Sequence, residues 1–534
     1  MNNHFPNTLS KTSPVTWLVL AAIAVIAGCA MLSEDNALGG APGSIMYDYD
    51  QGTLFNTEEY ASVDENPFLP VSSSPLSTFS IDVDAASYSN CRRFITTGSL
   101  PPAGAVRIEE FVNYFAYEYP EPKDSDPVGA HVEIAECPWN SSHSLAKIGV
   151  RARTIAADNL PPAHLTFLID VSGSMGSDNK LPLLKQAFGH LLEKLREEDM
   201  VAIIVYSGAA GVRLQPTSGG DKSTINAALA RLTAGGSTAG GAGIVTAYDV
   251  AEKMYSGNAT NRVILATDGD FNVGESSEAG LVELIKKKRD KGIYLTVLGF
   301  GMGNLKDSKM EALADNGNGN YAYVDGVNEA KRVFLNEFGG TIFTVAKDVK
   351  IQVEFNPSMV KAYRLIGYEN RVLHNEDFNN DTVDAGEVGS GQTVTALYEL
   401  IPSSSEEEVP GVDSLRYQAQ QAVADTAQSG EFFYVKIRYK DPDGTTGRLI
   451  EEPAGLECFT EFPSSDFSFA AAVAEFGLLL RPSKYRGDAS FSHAASAGEE
   501  HVGTDLDGFR KEFVELVRRA QELSDTLAEE GMPD

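Results

Sequence analysis

Three oxygen-bearing side chains leave the end of one apolar run at alternate positions: Asp170, Ser172 and Ser174, in Asp170-Val171-Ser172-Gly173-Ser174. The run before them, His164-Leu165-Thr166-Phe167-Leu168-Ile169, reads as a buried strand. A loop starting at such a point can curl carboxylate and hydroxyl oxygens around one small hard cation. Mg²⁺ suits that donor set, since it takes about six oxygen ligands at ~2.1 Å. Two further pieces complete the pattern. Thr238 follows Gly235-Gly236-Ser237 in a glycine-rich loop, and Asp268 ends a second apolar run, Arg262-Val263-Ile264-Leu265-Ala266-Thr267, just before Gly269. Ser and Asp are also common helix caps. Thr238 and Asp268 in register with the first three favour a metal over a cap.

The elements needed to hold these residues alternate strand and helix. Leu181, Leu184, Phe188, Leu191 and Leu195 recur at helical spacing. Strands are expected over 164–170, 200–206, 262–267, 294–299 and 321–324. Helices are expected over 221–233, 240–255, 278–290, 307–315 and 327–338. Such alternation implies an α/β fold with a doubly wound, Rossmann-like parallel sheet, whose ligands bind outside the C-terminal strand ends. Asp170 and Asp268 both fall at such ends.

The D-x-S-x-S … T … T-D-G set resembles the metal-ion-dependent adhesion site (MIDAS) of von Willebrand factor A (VWA) domains, over residues 160–340. The later segments Gly299-Phe300-Gly301-Met302-Gly303 and Gly317-Asn318-Gly319-Asn320-Tyr321 fit as well. The resemblance implies that Ser172 and Ser174 bind the metal directly, and that Thr238 binds directly or through water. It implies that Asp170 and Asp268 are direct or water-bridged ligands. It further implies Mg²⁺, with Mn²⁺ and Ca²⁺ as alternatives, and a protein partner whose Asp or Glu completes the coordination shell. The expected function is therefore protein binding and not catalysis.

The ion's protein ligands would supply only two carboxylates, so a partner carboxylate brings charge where this chain withholds it. Features of an enzyme are scarce. The eight histidines are scattered, with no H-E-x-x-H. Ser174 lacks the first Gly of a nucleophile elbow. The loop over 235–243 has no Lys for phosphate. Asp377-Phe378-Asn379-Asn380-Asp381 begins like a calcium loop, but Thr382 and Val388 stand where Gly and Glu are needed. A metal-assisted envelope hydrolase and a scaffold with a stabilising metal remain the alternatives.

The chain has 534 residues, enough for three or four domains at ~150 residues each. Its formal charge of −32 argues against nucleic acid and against adsorption to anionic lipid. An apolar stretch from Trp17 to Ala27 follows Lys11 and is too short to span a bilayer comfortably; it reads as a signal-peptide core. Ile26-Ala27-Gly28-Cys29 resembles the bacterial lipobox, which implies acylation of Cys29 and a membrane-anchored lipoprotein of the cell envelope. Ala30 in place of Asp points to the outer membrane, facing the periplasm or the surface. Cys91, Cys137 and Cys458 then allow at most one internal disulfide.

Residues 1–29 are thus a lipoprotein signal peptide, and 30–78 read as a flexible tether. Residues 79–155 carry Phe79-Ser80-Ile81-Asp82-Val83-Asp84, Leu100-Pro101-Pro102 and Val106-Arg107-Ile108-Glu109-Glu110. They resemble the module that precedes the A domain in one bacterial lipoprotein family, in which a C-terminal domain of unknown function follows. Asp82 and Asp84 have no other ligand type beside them and are expected at a surface or turn.

From 348 the period changes to two, as in Val349, Ile351, Val353 and Phe355, so 345–530 is expected to hold a sandwich-like β-rich region followed by helices. Alternation over 130–153 raises two options: pairing with this later sheet, which makes the A domain an insertion, or an independent module. Residues 401–430 read as an acidic surface loop. Asp466 is placed to cap a buried helix over 467–480 that is apolar nearly all round, and Phe509, Phe513, Leu516, Ala520 and Leu523 give an amphipathic C-terminal helix whose stripe packs in the core, with a partner-binding helix as the alternative.

Overall fold

The computed structural model describes residues 58–237, 240–269, 278–302, 305–337, 342–410, 427 and 429–529. Cys29, Thr238 and most of the acidic loop lie outside the described residues. The chain opens with β1 (Leu69–Pro70), β2 (Leu76–Ser80), α1 (Ala86–Thr96), α2 (Ile108–Asn113), β3 (Val128–Cys137) and β4 (Asn140–Ala152). An α/β part follows: β5 (Ala163–Asp170), α3 (Leu181–Lys194), β6 (Met200–Tyr206), β7 (Ala210–Ser218), α4 (Lys222–Ala230) and α5 (Gly240–Met254). It continues through β8 (Thr260–Thr267), α6 (Glu278–Arg289), β9 (Ile293–Phe300), α7 (Asp307–Asn316), β10 (Tyr321–Val324) and α8 (Val327–Lys331), then a π-helical stretch Arg332–Glu337. The last part holds β11 (Thr344–Phe355), β12 (Val360–Ile366), β13 (Gly386–Gly389), β14 (Thr393–Pro402), β15 (Phe433–Lys440) and β16 (Arg448–Ala454). It ends in α9 (Ser465–Leu480), α10 (Phe491–Glu500) and α11 (Phe509–Glu529).

The α/β sheet has the order β10-β9-β8-β5-β6-β7. Strand β5 is central, paired in parallel with β6 and β8. Helices cover both faces, which is why β5, β6 and β8 read as continuous apolar runs. The sheet is not wholly parallel. Strand β7 runs antiparallel to β6 at the edge. Gly211 and Pro216 interrupt any alternation within β7, and only Leu214 is buried, so it carries no periodic signal.

Segments on both sides of the α/β part build one β-sandwich. Strand β14 pairs with β4, from Thr393 opposite Arg151 to Leu400 opposite Ser144. One sheet is β1-β12-β14-β4-β3; the other is β13-β11-β15-β16, with β2 also on β11. Ile148, Val150, Val353, Tyr398 and Val435 are among its core residues.

The stretch 58–78 differs from the expected tether. Leu69 and Pro70 pair with Tyr363 and Ala362, and Leu76–Ser80 pairs with β11. Backbone pairing to strands far along the chain holds this segment, and such pairing leaves no mark in local composition.

The apolar helix α9 is core, packed with Tyr88, Phe111, Trp139 and Phe513. Of the C-terminal stripe, Phe513, Leu516 and Ala520 are buried in the same cluster. Asp466 does not cap α9. The Ser464 hydroxyl accepts from Phe467 N at 3.1 Å, while Asp466 accepts from Glu118 N and from Arg510. Asp84 is likewise not a surface residue. It is 3% exposed, accepts from Tyr321 N at 2.7 Å and pairs with Arg371 at 3.3 Å.

Three buried or nearly buried arginines join the parts. Arg92 of α1 contacts Asp325 at 2.6 Å, Glu329 at 2.7 Å and Glu512 at 3.1 Å. Arg107 reaches Asp307 at 2.9 Å, and Arg371 reaches Asp315 at 2.6 Å. Cys91, Cys137 and Cys458 are not joined by a disulfide. Among the described residues, no helix is long and apolar enough to cross a membrane.

Candidate metal centre

Four of the five expected ligands lie among the described residues, and the fold brings them to the C-terminal edge of two adjacent strands. Asp170 is the last residue of β5 and Asp268 follows β8; both are fully buried. Asp170 Oδ1 accepts from Ser172 N at 2.8 Å, and Oδ2 accepts from Thr267 Oγ1 at 3.4 Å. Burial pushes the Asp170 carboxyl up; the Ser172 backbone N–H works against this, and the Asp268 charge adds to it. The two carboxylates therefore share one electrostatic environment.

The turn Gly173–Gly176 is pinned by the fully buried Met175 and leaves Ser174 exposed. Ser172 Oγ and Ser174 Oγ share a hydrogen bond at 3.0 Å. Two ligands at ~2.1 Å on neighbouring vertices of an octahedron are about 3.0 Å apart, so this spacing fits one Mg²⁺. The donor set of carboxylate and hydroxyl oxygens fits it chemically too. Among the described residues no group of three or more His, Cys, Asp or Glu could hold a metal ion, so a metal bound here would need the serine hydroxyls beside the two acids.

The glycine-rich loop is tied to the same place. Gly173 N donates to Gly236 O at 3.0 Å, and Gly235 N donates to Val171 O at 2.8 Å. Gly236 has φ +87°, a conformation that favours glycine. Thr238, two residues on, lies outside the described residues.

Sequence reasoning missed Lys180. Its ammonium donates to Asp268 Oδ2 at 2.8 Å, and its side chain is 8% exposed. One signal was available: a lysine immediately before the apolar stripe of α3 sits where helix starts disfavour positive charge. Thr267 stands in the T-D-G motif, but its hydrogen bond to Asp170 on the neighbouring strand is set by the sheet and not by the motif.

A central β5 flanked by parallel neighbours, with acids at adjacent C-terminal strand ends, defines the class as a VWA fold. The family described as von Willebrand factor type A domain matches residues 164–335. One described as von Willebrand factor matches 54–147, and one described as uncharacterized protein YfbK, C-terminal, matches 340–523. The chain is 42% identical over 477 residues to uncharacterized protein YfbK of Escherichia coli (strain K12), covering 88% of this chain and 82% of that one. It belongs to the YfbK family of VWA-domain proteins. It is also 23% identical over 353 residues to uncharacterized protein sll0103 of Synechocystis, covering 65% of this chain and 77% of that one. Among solved structures, a von Willebrand factor type A protein from Catenulispora acidiphila aligns with TM-score 0.40 and 14% identity, covering 86% of this chain and 91% of that one.

Proposed function

We propose that this VWA protein is a lipid-anchored component of the bacterial cell envelope that captures a protein partner through Mg²⁺ and a partner Asp or Glu. The observation that carries this is the convergence of the Asp170 and Asp268 carboxylates with hydroxyls of Ser172 and Ser174 spaced at 3.0 Å. Bound there, a Mg²⁺ ion would supply Lewis acidity toward a partner carboxylate. Ser172 and Ser174 hold it directly. Thr238 joins from the loop anchored by Gly235 and Gly236, and Asp170 and Asp268 balance its charge. Asp170 is positioned for this by Ser172 N and Thr267 Oγ1. The anchor rests on Ile26-Ala27-Gly28-Cys29, with Ala30 favouring the outer membrane. A charge of −32 leaves nucleic acid outside the partner classes.

Purified full-length protein, immobilised and exposed to envelope extract in Mg²⁺ and then washed with EDTA, tests the binding role. A partner released by EDTA and not retained by Ser174→Ala is expected. A partner held equally well in EDTA and by Ser174→Ala contradicts it, and Mg²⁺-dependent turnover of an envelope substrate would favour a hydrolase instead.

A further inference from the structure

Lys180 is a cation built into the candidate metal site. Its ammonium donates to Asp268 Oδ2 at 2.8 Å, and the two side chains are 8% and 0% exposed. Burying an ammonium is costly unless it is paired. The backbone has been shaped to bring it there. The lysine stem crosses Gly301, where a Cβ would lie 2.0 Å from Lys180 Cε. Gly301 sits at φ +79°, and the Tyr323 hydroxyl donates to its carbonyl. No side chain other than hydrogen fits at Gly301 while Lys180 keeps this path.

The consequence is one of charge. Two carboxylates would neutralise Mg²⁺. With Lys180 on Asp268, one positive charge is left over beside the ion. That charge repels the metal and attracts an anion, and both effects are strongest on the buried Lys180–Asp268 side of the site. Resting on the metal-binding role above, we propose that Lys180 keeps the Mg²⁺-loaded site cationic, so that metal and an acidic ligand bind strongly together and weakly apart. By linkage, each then raises the affinity for the other by the same factor. Lys180 is a positioning residue in this scheme: it acts through Asp268 and need not touch the ion.

Calorimetry with MgCl₂ on the whole protein tests this, in sodium acetate as a minimal carboxylate and in sodium chloride of matched ionic strength. In wild type, acetate should tighten Mg²⁺ binding severalfold. Lys180→Met should bind Mg²⁺ tenfold more tightly or better in chloride, on the order expected for losing one unit charge nearby, and should show a severalfold smaller acetate effect. Lys180→Arg, which keeps the charge, should retain weak metal binding and the acetate response. Thermal melts of each variant verify folding. Equal or weaker Mg²⁺ binding by folded Lys180→Met overturns the proposal. If wild type binds Mg²⁺ and Asp170→Ala does not while Lys180→Met matches wild type, the metal site stands and only the role of Lys180 falls. If wild type and Lys180→Met both fail to bind Mg²⁺, the metal site itself falls, and this proposal with it.

Discussion

Ile155 and Phe343 share one partner: Ile155 N donates to Ser390 Oγ at 2.8 Å, and Ser390 N donates to Phe343 O at 2.9 Å. The chain thus enters and leaves the VWA domain at one point on the sandwich, just beyond β4 and just before β11. The VWA domain is inserted between strands that belong to a single β-sandwich, since β4 and β14 pair across the insertion.

Excising residues 156–343 and joining the ends should therefore leave a folded β-sandwich with its helical cap. A cooperative thermal transition and a β-rich circular dichroism spectrum are expected, at reduced stability because Arg92 and Arg107 lose their acidic partners on α7 and α8. Loss of all cooperative unfolding would contradict the single-sandwich architecture.

Arg92→Met should be strongly destabilising. The guanidinium is nearly buried among Asp325, Glu329 and Glu512, and its loss leaves Asp325 without its cation and Glu329 with Arg332 alone. Removing one partner of a buried ion pair costs about 3–5 kcal/mol. Denaturant midpoints for wild type and variant read this directly. A change within experimental error would mean the network adds nothing.

His143 should make stability depend on pH. Burial acts to lower its pKa, but hydrogen bonds to Glu399 at 2.6 Å and Glu407 at 2.8 Å outweigh this and raise it above 6.5. A raised folded-state pKa means the contribution is complete below 6.5 and fades as pH climbs through the raised value. The gap in melting temperature between wild type and His143→Gln should accordingly narrow from pH 6 to pH 9, on the order of the range a histidine spans. A gap that widens with pH would contradict the assignment.

The anchor predicts that Cys29→Ala moves the protein from the detergent phase to the aqueous phase. Stable anchoring takes more than one acyl chain, so metabolic labelling should show a multiply acylated wild type and an unlabelled variant. An unchanged phase distribution would remove Cys29 from the account.

What could be read from the chain followed from periodicity. The apolar runs leading to Asp170 and Asp268 are buried on both faces of a sheet, so their strand character and the placement of the two acids at C-terminal strand ends were legible. The alternation over 130–153 was legible because Val132, Ile134, Ile148 and Val150 face the sandwich core between polar neighbours. Lys180 was not, because its meaning comes from a contact with Asp268 and a slot at Gly301, both far along the chain. Strands β1, β2 and β7 were hidden because short or exposed edge strands carry little alternation. Asp84 and Asp466 were misplaced because their partners, Tyr321 and Arg371 for one and Glu118 and Arg510 for the other, are brought in only by the tertiary fold.

Asp170, Ser172, Ser174, Thr238 and Asp268 are proposed to hold one metal ion together. Mg²⁺ titration by calorimetry on wild type, Asp268→Ala, Ser174→Ala and Ser177→Ala tests it most directly. Wild type and Ser177→Ala, whose exposed side chain lies just outside the motif, should bind one Mg²⁺ alike. Asp268→Ala and Ser174→Ala should lose at least about tenfold in affinity, having given up a charge or a direct ligand, while melting as folded proteins. Equal Mg²⁺ affinity in all four would contradict the account.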